Sequence, residues 1–363
     1  MGHLLDEWMA RGHAEFKGTG RVGRGRNPLK SYLVEANVPD FGEQPDGVAA
    51  FFAKDGVSVR VEVERGNDPT LHRIDVGQVS FFLDTLDPRF WLLHSTNTAE
   101  ATDAAIRALV RRTPQLDSAW LPSRHLERWS GELGVPRGLT AKFSTPTRLD
   151  RDDLPDDPYL DDSLLLRIGS SGDARVRWQG FRDSSPLAPS LALWSARIVR
   201  RGLDRDHVVV GDVTADGKVT SRGDSFRLHQ ELLGGLKDRY AQLIRGWEER
   251  FRLGWGMDGS GAKPTGDVAE LPLPVPLDED ESQQLLDKLF DGREPFRLYG
   301  VPVRQGARRY VARGVDLHTG DKVDFEIGPD MLRVYLFPST CGNVLARLLT
   351  NLQHYHDARV DLA

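Results

Sequence analysis

An α+β protein of antiparallel sheets, each backed by helices and divided into two or three domains, is what this 363-residue chain predicts. Three observations lead there. Strand-like runs joined by hairpin turns fill long stretches of the sequence. One helical stripe, residues 226–251, is the strongest periodic signal. Three segments also finish in the same order, an apolar strand, a small polar residue and an amphipathic helix, as in FWLLHSTNTAEATDAAIRAL (90–109), 219–244 and VYLFPSTCGNVLARLLTNL (334–352). Such an order fits either a remote duplication or a common way of entering a helix.

Residues 3–16 carry Leu5, Trp8, Met9 and Phe16 near helical spacing and predict a short amphipathic helix. The stretch KGTGRVGRGRNPLK (17–30) alternates glycine with positive charge and reads as a flexible basic arm. Residues 48–94 read as strands, with VSVRVEVER (57–65) alternating and VSFFLD and RFWLLHS flanking a hairpin turn. Asn97 with Glu100 predicts an N-cap pair for the helix that follows, striped by Ala101, Ala104, Ala105, Ala108 and Leu109. The acidic, Pro-broken LDRDDLPDDPYLDD (149–162) marks a boundary; it lacks the central Gly and closing Glu of a calcium loop.

LLLRI, ARVRWQGF, LALWSARIV and HVVVGDV then read as strands, and Ala-Asp-Gly at 215–217 as a hairpin turn. Asp224 or Ser225 caps the long helix. Gly234 and Gly235 interrupt it at about 1 kcal/mol each relative to Ala, which predicts a close backbone contact or a bend. Residues 254–281 are rich in Gly and Pro, lack periodicity, and read as a linker. A helix at 282–291, strands in FRLYGVPV, ARRYVARGVDL, KVDFEI and RVYLF, and a final helix complete the chain. The expected domains are therefore 1–148, including the arm 17–30, then 163–253 and 282–363.

Composition narrows the functional classes. Apolar residues at 39% and charged residues at 28% are those of an ordinary globular chain, and no apolar run reaches the roughly 20 residues of a membrane helix. No membrane partner is expected. The N-terminus lacks an apolar signal core, and one cysteine precludes an internal disulfide, so a reducing cytoplasm is the expected location. A net charge of −6 argues against a chain coated along its length with nucleic acid but permits a local basic patch. About nine of the 48 basic residues are lysine, and this arginine dominance with abundant Gly, Asp and Val suits a GC-rich bacterial genome.

The single cysteine raises the sharpest chemical question. Cys341 and Arg347 stand at the Cys-x5-Arg spacing of a phosphatase loop, in which a thiolate attacks phosphorus and the arginine clamps its oxygens. The interior of that spacing, Gly-Asn-Val-Leu-Ala, lacks the glycines that aim successive N–H groups at an anion. Val344, Leu345, Leu348, Leu349 and Leu352 already form a helical stripe. A structural cap by Ser339 or Thr340 is the preferred reading. An anion-binding helix end of Ser339, Thr340, Cys341 and Arg347, with the thiol pKa lowered by the helix, is the functional one.

Other constellations are thinner. His354 and His356 stand two apart, which a helix sends to different faces. Asp216, Lys218, Glu62 and Glu64 supply the residue types of a nuclease, but in a turn and on a strand's polar face. Gly18, Gly20 and Gly23 match GxGxxG without a preceding strand. No metal or cofactor is expected. Arg21, Arg24, Arg26 and Lys30 of the basic arm are the candidate contacts to phosphates or an acidic partner. The expectation is a non-enzymatic binding or assembly subunit of a bacterial multi-component system, such as one for defence or nucleic-acid processing. Its partner is a protein or a second copy of the chain, with nucleic acid as a further partner through the arm. A hydrolase or nuclease, and a purely structural subunit, are the alternatives.

Overall fold

Alternating β-branched and aromatic residues between Leu29 and Gly223 pair into a single eleven-stranded antiparallel sheet. A computed structural model describes residues 1–19, 27–38, 47–54, 59–63, 70–143, 164–203, 206–258 and 261–363. The sheet's strands are β1 (Leu29–Ala36), β2 (Val59–Val63), β3 (Leu71–Val76), β4 (Val79–Asp84), β5 (Phe90–Ser95), β6 (Leu116–Ser118), β7 (Val135–Phe143), β8 (Leu164–Gly169), β9 (Ala192–Arg201), β10 (Val208–Thr214) and β11 (Lys218–Gly223). Their order is β2-β3-β4-β5-β1-β11-β10-β9-β7-β8, with β6 alongside the end of β1. Because β1 pairs with β11, the segments 1–148 and 163–253 contribute to one sheet and are not divided at the acidic stretch. That stretch itself lies outside the described residues.

Helices cover the two faces unequally. Helix α4 (Ser123–Leu133) and helix α6 (Phe226–Phe251) pack on one face, where Leu126, Trp129, Leu232, Leu236, Tyr240 and Ile244 meet Leu139, Ala196, Ile198 and Val213. Helix α2 (Gly47–Lys54) and helix α3 (Ala99–Arg112) cover the opposite face over β1–β6, through Phe51, Phe52, Ile106 and Leu109. Helix α1 (Gly2–Thr19) seats Leu5 and Met9 against Leu29, Val209 and Phe226.

Helix α6 matches its sequence signal. Ser225 caps it, accepting from Leu228 N–H at 3.3 Å. A Cβ on Gly235 would sit 2.7 Å from Leu133 Cδ2, so the glycine permits the close approach of α4. Each leucine fully buried along its stripe contributes about 1.5–3 kcal/mol relative to exposure.

Several expectations are corrected. Residues 174–181 form helix α5 (Ala174–Ser184), not a strand: Ala174 and Trp178 are four apart and buried, and Asp173 caps it by accepting from Arg175 N–H at 2.9 Å. Residues 47–54 are helical for the same reason, with Val48, Phe51 and Phe52 on the buried side. Thr98, not Asn97, caps α3, accepting from Ala101 N–H at 3.3 Å. The expected linker at 254–281 carries a hairpin, β12 (Gly254–Asp258) with β13 (Gly261–Thr265), then β14 (Ala269–Pro272) and the first turn of α7 (Glu279–Phe290). Ala269 and Leu271 of β14 are fully buried, which gives this short segment a core to join.

The second sheet runs β14-β18-β17-β16-β15, with β15 (Leu298–Arg304), β16 (Tyr310–Asp316), β17 (Lys322–Ile327) and β18 (Met331–Leu336). Helices α7 and α8 (Asn343–Tyr355) back it. Helix α8 is buried on all sides. Val344, Leu345, Leu348, Leu349 and Leu352 enter the second core, while Ala346 joins the first, so this helix ties the two sheets together. The strand-then-helix order recurs at β5–α3, β11–α6 and β18–α8; a hydroxyl caps the first two helices, by Thr98 and Ser225, and no side chain caps the third.

Candidate functional site

The start of α8 is occupied by this chain's own carboxylates. Cys341 is buried, and its thiol donates to Glu35 Oε1 at 3.1 Å. Glu248 Oε1 accepts from Gly342 N–H at 2.8 Å, and Arg89 ion-pairs with both Glu35 and Glu248. The anion that a helix N-terminus attracts is therefore Glu248. Burial and then the Glu35 charge push the Cys341 thiol pKa well above its ordinary value, the reverse of the lowering expected.

Gly342, without a side-chain bond, holds the cap position assigned to Ser339 or Thr340. Thr340 Oγ1 instead accepts from Phe337 N–H at 2.9 Å and donates to Lys322 O at 2.7 Å, while Ser339 is exposed. Arg347 is fully buried and bonded to Asp117, Asp316 and Phe296 O. It joins the two sheets and has no route to a phosphate. The phosphatase spacing is thus a structural latch.

The basic arm separates in the same way. Arg21, Arg24 and Arg26 lie outside the described residues. Lys30 is not an arm residue but part of β1, 1% exposed, donating to Pro28 O at 2.9 Å and to Asn97 O. Burial, with the nearby Lys218 charge, lowers its pKa to about 8.

One further buried cluster has the residue types of a hydrolase. Ser31 Oγ lies 2.7 Å from His94 Nδ1 and 2.8 Å from His229 Nε2, and His229 Nδ1 lies 2.8 Å from Ser221 Oγ. All four residues are at most 1% exposed. Burial lowers the imidazoles to about 4 at His94 and about 3 at His229, too weak for a base at neutral pH. The chain cross-links β1, β5, β11 and α6. His354, expected on an exposed terminal helix, is buried against the Trp194 ring at 5.3 Å. Among the described residues no group of three or more His, Cys, Asp or Glu is arranged for a metal ion.

The open site lies where α2 and α3 stop. On that side of β7–β9 a cavity of about 520 Å³ is lined by Arg137, Lys142, Arg167, Trp194 and Arg197, with Asp212 the one lining carboxylate among the described residues. The strand pattern places them. Outward positions in β9–β11 alternate with the buried Ala196, Ile198, Val209, Val213 and Val219, so Arg197 and Arg222 point away from the core.

Two register shifts in the β7–β9 ladder do the rest. One falls between Pro136 and Gly138, the other between Thr140 and Ala141 opposite Ser195 and Leu193. The extra residues are Arg137 and Trp194, and both face the cavity. A bulge re-aims a side chain that regular alternation would send inward, and such bulges concentrate at functional surfaces.

The electrostatics are lopsided. Asp212 Oδ1 accepts from Arg197 Nε at 2.7 Å, and Arg222 lies 3.7 Å from its other oxygen. Arg137 reaches only the carbonyl of Gly172 at 3.4 Å. Lys142 sits 4.3 Å above the Trp194 ring, a cation–π contact. Arg167 is exposed and makes no ion pair among the described residues. Among the described residues, Asp212 is the one carboxylate that lines this cavity, against four cations.

Two further cavities adjoin this one. The first, between α1 and β10–β11, shares Arg197 and is lined also by Arg222 and Trp8. The second, about 670 Å³ between the two sheets, shares Trp194. The result is a trough across the open half of the first sheet. Sequence reading missed it because cations at outward strand positions look like ordinary solvated residues. The alternation in LALWSARIVRR and KVTSRG was the available signal; the bulges leave none.

Fold and site together define an antiparallel α+β protein with an open cationic sheet face. The chain belongs to the MJECL33-like protein family, whose description matches residues 1–363. It is similar to the uncharacterized protein MJECL33 of Methanocaldococcus jannaschii, at 24% identity over 400 aligned positions covering 99% of this chain and 92% of that protein. That relative is archaeal, and the bacterial source read from composition finds no support in it. No helix among the described residues is long and apolar enough to cross a membrane.

Proposed function

We propose that this protein is a non-enzymatic binding subunit whose ligand is nucleic acid, laid along the cationic trough of the first sheet. The observation that supports it is the gathering of Arg137, Lys142, Arg167 and Arg197 in one cavity where, among the described residues, Asp212 is the one lining carboxylate, with Trp194 among them. Arginine and lysine neutralise phosphates and release their counterions, and an indole offers a face to a base. The sealed Ser–His cluster and the high thiol pKa weigh against the hydrolase alternative.

Assembly with a protein partner has its own support. Strand β15 ends the second sheet and exposes Tyr299, Val301 and Val303, each more than half accessible, and the β12–β13 hairpin exposes Trp255 and Met257. A lone buried thiol suits a reducing compartment.

Fluorescence anisotropy with labelled 30-nucleotide RNA and DNA, single- and double-stranded, tests the reading. Wild type binds at low salt, and Arg167→Glu with Arg222→Glu weakens binding about 100-fold. Absence of binding to every probe at low salt overturns it.

A further inference from the structure

The trough and the cleft beyond it differ in chemistry, and the difference bears on which nucleic acid fits. This step rests on the nucleic-acid reading above. In the trough, cations outnumber carboxylates and the floor is flat sheet, which suits a run of phosphates. In the cleft, Arg107 and Arg111 of α3, with Lys288 and Arg293, stand with Asp216, Asp291 and Glu294, so the charge is mixed and nearly balanced. Its walls include Trp120 and Tyr355, and Trp194 forms the threshold shared with the trough. Trp120 is held in place by donation from its Nε1 to Asp117 Oδ1 at 3.3 Å.

One buried polar side chain converges on the same space. Asn351 is 3% exposed and lines the cleft. Its amide nitrogen donates to Arg347 O at 2.8 Å and Pro295 O at 3.4 Å, which holds the side chain in place at the cleft wall. A cavity of about 670 Å³ with aromatic walls, nearly balanced charge and a fixed amide in its lining suits an uncharged base with donor and acceptor edges better than it suits phosphates. A base reaches such a cleft only when it is not stacked and paired in a duplex.

We propose that the cleft between the two sheets seats an unpaired base of a single strand whose backbone lies in the adjoining trough, Trp194 being the platform on which the strand turns from one into the other.

The test compares a 20-nucleotide single strand with a duplex of the same length and sequence, by anisotropy at fixed salt. Wild type prefers the single strand by at least about tenfold, consistent with stacking worth roughly 1–3 kcal/mol per base. Trp194→Leu and, separately, Arg107→Glu with Arg111→Glu reduce that preference to below about threefold while duplex affinity changes less than about threefold. The arginine pair is exposed on α3, so its variant tests the cleft even if Trp194→Leu disturbs packing against His354. Equal wild-type affinity for both probes, or a preference that survives the arginine variant, overturns the cleft assignment while the trough stands. Loss of all binding in the wild type overturns both.

Discussion

The outer faces of the two sheets differ in how their described charges are paired. On the second sheet, Glu326 accepts from Arg309, Arg333 and the Tyr335 hydroxyl, Arg333 also pairs with Glu270 at 2.7 Å, and Lys322 pairs with Asp324 at 3.2 Å. On the first, Arg197 and Arg222 pair with Asp212, and Arg137, Lys142 and Arg167 line the same cavity, whose one carboxylate among the described residues is Asp212. The lesson is that arginine content says little in a chain where arginine is the default cation. What separates a binding face from a solvated one is whether carboxylates stand opposite the cations.

The interior should be intolerant of new charge. Burial holds His94 at about 4 and His229 and His354 at about 3, below the ordinary 6.5. Their folded pKa values are depressed, so the stabilisation is complete above about pH 6.5 and is lost as pH falls toward 4. The unfolded chain takes up protons there and the folded protein does not. Each histidine contributes about 1.4 kcal/mol per pH unit in that window, which makes acid the largest perturbation. Thermal unfolding from pH 7.5 to 4.5 should show a steep fall starting near 6.5. A flat profile to pH 5 would mean that these rings are hydrated.

Paired interior cations should govern stability and not binding. Arg347→Met strands Asp117 and Asp316 in the core and should cost about 3–5 kcal/mol in denaturant unfolding. RNA affinity per folded molecule should stay within about threefold, since Arg347 has no solvent exposure. A loss of binding with no loss of stability would return Arg347 to the role of phosphate clamp.

The outer faces can be set against each other at a smaller scale. Arg309→Glu with Arg333→Glu on the second sheet should change RNA affinity less than about threefold, against the roughly 100-fold of the first-sheet pair. Equal losses on both faces would mean that net charge, and not the trough, drives association.

What could be read from sequence divides along the same physical line. Helix α6, the β10–β11 hairpin at Gly217 and strands β15–β18 of the second sheet were legible because periodicity and turn chemistry are local. Helix α5 was misread because ARVRWQGF satisfies both periods over its short length, and only Trp178 meeting the core decides between them. The expected linker was misread because Gly and Pro conceal β14, whose stability comes from pairing with β18, more than 50 residues away in sequence. The Cys341–Arg347 spacing carried a motif's form without its environment: Glu35, Asp117 and Glu248 arrive from distant elements and occupy the places an anion needs. The trough was invisible because it depends on how cations from separate strands gather in space, and on two bulges that no local pattern announces.

The most direct test of the central claim is the salt dependence of single-stranded RNA binding. Phosphate contacts by Arg137, Lys142, Arg167, Arg197 and Arg222 give a log–log slope of about −3 to −4, at about 0.7 per contact. Removing Arg167 and Arg222 as alanines should bring it to about −2, with affinity falling similarly across sequences. A wild-type slope near zero, or a slope unchanged in the double variant, would contradict the assignment of the open face of the first sheet as the nucleic-acid interface.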